Sequence, residues 1–312
     1  MKTRREFLKT GLAIGTGLPF IGNLGEVFAA DAPSASGSAD PAAGRSVLVA
    51  VRDGGRAAML DKAMSVLGGM RTFVKKGQTV LVKPNIGWDT PPERCADTHP
   101  ELVKRVIEMC FAAGAKSVSM FDNPCDQWQR CYTHSGIEKV AQETGASLID
   151  GKDQTLYRQV EIPGRKLKHA KVHSLVLDSD VFIDVPVLKH HSSTMMTACM
   201  KNLMGIIWDR GFYHRTDLNQ CIADMLTFKK PALNILDAYA PMVRNGPRGV
   251  SVNDLVLMRT LLVSTDVVAI DAAGAKMLGH QPSDIGHVAI AAEMKLGTMD
   301  LKQVDIRRLK LA

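Results

Sequence analysis

The chain has 312 residues, with 39 Lys+Arg against 32 Asp+Glu, a formal net charge of +7 and six Cys. Hydrophobic residues make up 46% and charged residues 23%, which excludes a disordered, collagen-like or disulfide-scaffold chain. Aromatics at 5% offer no stacking platform for single-stranded nucleic acid, so no nucleic-acid partner is expected.

Residues 1–30 read as an export signal. Thr3-Arg4-Arg5-Glu6-Phe7-Leu8-Lys9 carries a twin arginine followed by Phe-Leu-Lys and resembles the twin-arginine (Tat) signal. The Gly-rich stretch from Gly11 to Phe28 is interrupted by Asn23 and Glu26. It is too short and too weakly apolar for a stable membrane span, which needs about 20 apolar residues. Ala29 and Ala30 supply a small-residue cleavage region. The Tat translocase is therefore an expected transient partner, and a periplasmic or otherwise exported location is expected. Loss of residues 1–30 removes Lys2, Arg4, Arg5 and Lys9 with Glu6 and Glu26, leaving +5. Residues 31–44, almost wholly Ala, Ser, Pro, Gly and Asp, read as a flexible linker. Residues 45–312 read as a single domain.

Within that domain short β-branched runs alternate with helical patterns. This predicts an α/β fold with a mostly parallel sheet flanked by helices. Strands are expected at 47–51, 79–83, 117–121, 146–149, 181–187, 232–236, 260–264 and 304–309. Helices are expected at 56–67, 100–113, 137–144, 195–207, 218–228, 267–278 and 284–296. Residues 157–177 alternate apolar and polar around Pro163-Gly164, which predicts a β-hairpin insertion.

Ligands of doubly wound sheets bind outside the carboxyl ends of the strands. Five predicted strand ends carry distinctive polar residues: Lys83 and Asn85; Asp122 and Asn123; Asp184 with Lys189, His190 and His191; Asp237; and Thr265 with Asp266. Asp266 also suits the N-cap of the helix that follows. Together these ends predict a polar crevice along one edge of the sheet. The stretch from Lys189 to Gly205 is the richest. On the expected helix Thr194, Thr197 and Lys201 share one face, while Met196, Met200, Leu203 and Met204 face the core. Ser192 and Ser193 are candidate caps, and a helix N-terminus there would attract an anion.

Thr98-His99-Pro100 opens a helix, with Pro100 suited to its first turn. His99 or His191 is the candidate for proton transfer or metal ligation, and Asp122 or Asp184 the candidate orienting carboxylate. Cys110, Cys199 and Cys221 fall in predicted helices and read as buried thiols. Cys95, Cys125 and Cys131 follow strands on the crevice side. Cys125 and Cys131 could form a disulfide or stay as free thiols, or Cys95, Cys125, Cys131 and His99 could meet around a metal or iron–sulfur cluster.

Several of these segments are similar to one family. They are Leu81–Asn85 (LVKPN), Thr98-His99-Pro100, the D-x-P-x-L-K-x-H run from Asp184 to His191, the T-x2-T-x3-K-N-x2-G run from Thr194 to Gly205, Gly246-Pro247, and the S-x-D-x-V-A-x-D run from Ser264 to Asp271. In this order they resemble the domain-of-unknown-function family numbered 362, over about residues 45–300. The resemblance implies a shared fold and crevice. It also implies a suspected iron–sulfur association, although the ferredoxin module of some members has no counterpart here.

The expected protein is thus an exported α/β domain with a crevice for a small anionic ligand or cofactor. Lys83, Lys189 and Lys201 would hold the negative charge, and Asn85, Thr98, Thr194, Thr197 and Asn202 would donate hydrogen bonds. An enzymatic reaction there stays open. The alternatives are a metal-dependent redox or cofactor-handling protein using the loop cysteines, and a non-catalytic periplasmic binding or assembly factor.

Overall fold

The computed structural model describes residues 2–3 and 45–312. The predicted export signal and linker lie outside the described residues, apart from Lys2–Thr3, whose backbone pairs with Val256–Leu257.

In chain order, β1 (Val47–Arg52) leads to α1 (Arg56–Val66), and β2 (Thr79–Pro84) to α2 (Pro100–Ala113). Then come β3 (Ser117–Met120), α3 (Trp128–His134), α4 (Ile137–Thr144) and β4 (Ser147–Leu148). The predicted hairpin is present as β5 (Tyr157–Glu161) against β6 (His169–His173), running on into α5 (Ser174–Asp178). Next are β7 (Val181–Val185), β8 (Val187–His191), β9 (Met195–Thr197) and the single turn α6 (Cys199–Asn202). The chain closes with α7 (Arg210–Thr216), α8 (Leu218–Phe228), β10 (Leu233–Met242), β11 (Val256–Leu257), β12 (Thr260–Ser264), α9 (Val267–Met277), α10 (Gly286–Glu293) and β13 (Asp305–Lys310).

One sheet organises the domain, in the order β13-β1-β12-β10-β7-β2-β3-β4, with β8 beside β10 and β9 beside β8. Along that order every neighbour pair is parallel except the two made by β12, which runs antiparallel to both β1 and β10. Both faces are covered, so the central strands are apolar on both sides. Leu48, Ala50, Leu81, Leu236 and Leu262 pack on one face with α8, α9 and α10. Val49, Val51, Val80, Val82, Ile183 and Val263 pack on the other with α1, α2 and α4.

The helices form where capping and periodicity agree. In α2, Leu102, Val103, Val106, Ile107 and Cys110 recur on the buried face. His99 caps its start by accepting from the Glu101 N–H, Pro100 occupies the first turn, and Gly114 ends it at φ 103°.

Two expectations fail. The helix predicted over 195–207 starts instead as a strand. β9 returns antiparallel on β8, with Met195 opposite His191, Met196 opposite His190 and Thr197 opposite Lys189. Met195 sits at φ 61°, which a helix cannot accommodate. Only Cys199–Asn202 is α-helical, and Leu203–Ile206 tightens to 3₁₀. Secondly, the β12 end does not contribute to the crevice, and of the two readings of Asp266 the N-cap is the one realised. Because β12 is reversed, its carboxyl end lies beside the start of β1, with Ser264 opposite Leu48. There Asp266 caps α9 through the N–H groups of Val268 and Ala269.

Candidate functional site: a cationic crevice at the strand ends

Alternation along β8 decides which side chains face the crevice. Lys189 and His191 are two residues apart and share a face, and the β9 pairing adds Thr197 to it. The turn after β2 brings Asn85, Gly87 and Trp88, the turn after β3 brings Asp122 and Cys125, and α6 with its 3₁₀ extension brings Lys201, Asn202, Met204 and Gly205. Arg210 at the start of α7, and Pro247, close the rim. The free space enclosed is about 50 Å³.

The floor is a connected polar network. The Lys83 ammonium donates to Asp122 Oδ1 at 2.9 Å, the Pro84 carbonyl at 2.8 Å and Asn202 Oδ1 at 3.2 Å. Lys83 is completely buried and does not line the crevice. An ammonium has three donors and all three are spent, so Lys83 braces the wall and is not free to bind a ligand as expected. Asp122 also accepts from the Ile86 N–H at 2.7 Å and the Asn123 N–H at 2.8 Å. Asn202 donates to Asp184 Oδ1 at 2.8 Å and accepts from Asn85 Nδ2 at 3.0 Å. Asn85 Oδ1 in turn accepts from the Lys189 ammonium at 2.9 Å. Asp184 is therefore a remote brace beneath the crevice. Its other oxygen has no partner, and burial pushes its carboxyl well above the usual range.

Gly205 makes this packing fit. A Cβ there would stand 1.9 Å from Asp122 Oδ1 and 2.8 Å from Lys83 Nζ.

The upper wall is different, because among the described residues its cations make no salt bridge. Lys189 donates to Asn85 and to the Ala96 carbonyl, which leaves one N–H. Burial lowers its pKa and raises that of the nearby Asp97, which accepts from the Trp88 N–H and the Thr90 hydroxyl. Arg210 donates to the Asn123 carbonyl and lies 2.7 Å from Cys125 Sγ. Lys201 is only 8% exposed, and among the described residues no hydrogen bond or ion pair holds its ammonium. Desolvation, with Arg210 as a neighbouring cation, pushes it down to about 7. His191 Nδ1 accepts from the Ser193 N–H at 3.1 Å. Burial together with Lys201 and Lys189 pushes that imidazole down to about 3. It is thus neutral at physiological pH, and its proton sits on Nε2.

Other expected site residues lie elsewhere. His99 is the cap of α2, and Thr98 bridges the Asn85 N–H to the Val185 carbonyl. Thr194 donates to the Met196 carbonyl, and Asp237 is paired with buried Arg56 at 2.7 Å. The expected anion site at a helix N-terminus is filled by the protein itself. Asp271 accepts from the N–H groups of Cys199 at 2.8 Å and Met200 at 3.0 Å, and burial pushes its carboxyl up to about 7.

Of the cysteine readings, free thiols are what the structure has, and Cys110, Cys199 and Cys221 are buried as expected. All six described cysteines are free, and Cys125 is not bonded to Cys131. Cys95 packs with Ala96, Ala240, Met242 and Leu255, whereas Cys131 lies in the core with α2 and α4. Burial pushes both thiols up to about 12. Among the described residues no three His, Cys, Asp or Glu side chains gather as metal ligands. This donor set therefore does not fit an iron–sulfur cluster, which needs several thiolates converging on one point.

Fold and crevice together define an α/β protein with a braced cationic pocket at the ends of its parallel strands. The sequence profile described as Domain of unknown function (DUF362) matches residues 80–276, and the chain belongs to that family. The Thylakoid-associated protein sll1697 of Synechocystis sp. is 30% identical over 256 residues, covering 77% of this chain and 74% of that protein. Among solved structures, the lactate racemase apoprotein of Thermoanaerobacterium thermosaccharolyticum aligns at a TM-score of 0.43 with 12% identity, over 68% of this chain and 53% of its own. A Thermotoga maritima protein aligns at a TM-score of 0.44 with 11% identity, over 76% and 59%. The chain thus spans little more than half of these two structures.

Trp88, Met204, Gly205, Arg210 and Pro247 line the crevice without having stood out as site residues. Arg210 lies in a Trp-Asp-Arg-Gly segment whose pattern has no periodicity. The one available signal was its position between two predicted helices, shortly after the Lys201 segment.

Proposed function

We propose that the crevice binds a small anionic ligand, a carboxylate or phosphate-sized group. The observation that carries this is Lys201, a nine-tenths buried ammonium without a partner among the described residues, beside a second lysine, an arginine and a neutral histidine donor. An unpaired buried charge costs several kcal/mol, and an anion held by Lys201, Lys189, Arg210 and His191 Nε2–H would offset that cost. The space of about 50 Å³ supports a small group, since a single water needs roughly 10–15 Å³. Cys125 and Thr197 would complete the lining. The same lining serves an enzyme or a binding protein.

The test is calorimetric titration with acetate, phosphate and sulfate. Wild-type protein should bind at least one of them saturably at one site. Lys201→Ala and Lys189→Ala should each weaken binding at least tenfold, while the exposed Lys139→Ala should not. Wild-type affinity in both crevice variants overturns the reading.

From the leader alone we further propose export through the Tat route. Replacing Arg4 and Arg5 by lysine should hold the protein in the cytoplasm. Unchanged export would contradict that proposal.

A further inference from the structure

Lys201 differs from the neighbouring cations in that its ammonium has no hydrogen-bond partner among the described residues. Lys83 is saturated, Lys189 has two of its three donors engaged, and Arg210 is tied to Asn123 and Cys125. A cation held among other cations is an unstable arrangement, and the alternative open to a lysine is the neutral amine. The neutral amine is a nucleophile, and desolvation beside a second cationic group is a recognised way of activating it.

We propose that Lys201 is a nucleophilic amine that forms an imine with the carbonyl carbon of a small 2-oxo acid. The inference rests on the anion reading above and specifies its ligand. In such a compound the carboxylate and the carbonyl are adjacent. The carboxylate would take the free N–H of Lys189 and the Arg210 guanidinium, which places the carbonyl carbon toward Lys201 Nζ. The Nζ lone pair adds to that carbon and the oxygen takes up a proton, giving a carbinolamine. The oxygen then leaves as water, having collected both amine hydrogens, and the C=N bond forms. No oxidant or metal is needed. The Nε2–H of His191 can donate to the carbonyl oxygen as negative charge develops on it.

The charge surroundings agree. Lys189, Arg210, Cys125, His191, His214 and His287 are the titratable or charged groups that act on Lys201. Burial first, then the Arg210 and Lys189 cations against the one thiol, push the amine down to about 7. An ordinary lysine stays protonated until about pH 10.

The probe is equimolar glyoxylate with cyanoborohydride at pH 7, followed by peptide mapping of the intact wild-type protein. A carboxymethyl adduct should form on Lys201 at least tenfold faster than on the exposed Lys139, and acetate should block it. Lys201→Gln should lose the adduct. Because that variant could misfold, site mapping in the wild type is the deciding readout. If glyoxylate or acetate binds saturably in the crevice but Lys201 is not labelled preferentially, the imine proposal is overturned and the anion reading stands. If neither binds, the imine proposal is overturned, and if phosphate and sulfate also fail to bind, the anion reading falls with it.

Discussion

Lys201 concentrates the energetics of the site at the scale of one residue. Its folded-state pKa near 7 lies below the unfolded value of about 10.4, so the unfolded chain binds more protons between these limits. Stability should therefore rise with pH from about 7 to about 10, and the full penalty should be present below 7. Lys201→Met should remove the penalty. The expected result is a variant more stable at pH 7 by about 2 kcal/mol, with a flatter stability–pH curve in denaturant unfolding and no anion binding. Gly205 makes the opposite case. A methyl group there collides with the Lys83–Asp122 pair, so Gly205→Ala should destabilise by about 2–3 kcal/mol in the same measurement. The sequence showed Lys189, Thr197 and Lys201 because each carries a polar head within or beside an apolar run. It misplaced Lys83 for a physical reason: whether an ammonium is free depends on partners, here Asp122 and Asn202, that lie 39 and 119 residues away in the chain.

At the scale of elements, the β8–β9 hairpin and α6 decide the site. The run from Met195 to Ile207 has apolar spacing that suits a helix, yet its first three residues form a strand. Short apolar runs are ambiguous between the two periods, and here pairing with β8 outweighs local preference. The consequence is functional, because strand alternation sets Thr197 against Lys189, a pairing that the helical reading hides. The single turn α6 is held by the carboxylate of Asp271. Asp271→Ala would leave two buried N–H groups unpaired. That should cost about 2–6 kcal/mol, since each orphaned buried donor costs roughly 1–3 kcal/mol. Chemical denaturation would measure that loss. Anion affinity should fall too, because Lys201 rides on this turn. Elements with agreeing signals were legible: α2 has its cap, first-turn proline and terminal glycine, and the hairpin of β5 and β6 has alternation about a Pro-Gly turn.

For the whole molecule, the strand sequence foretold an α/β sheet but not the reversal of β12. A strand's direction is set by its neighbours and leaves no mark in a five-residue apolar run. That reversal carries Asp266 to the opposite edge and leaves the crevice to β2, β3, β7 and β8. The crevice and the core are coupled, since Asp184 and Asn202 link the sheet interior to Asn85 and Lys189. Saturating anion should accordingly raise the melting temperature of the entire domain. The rise should be larger at pH 6 than at pH 9, because Lys201 is cationic only at the lower pH. Equal shifts at both pH values would count against Lys201 as the charge that holds the ligand.

The most direct measurement is the pH titration of the Lys201 side chain by NMR, with and without a saturating small anion. The midpoint should lie near 7 in the free protein and move upward when the anion is bound. A midpoint at the ordinary lysine value of about 10.4, or one that no small anion shifts, would contradict the account.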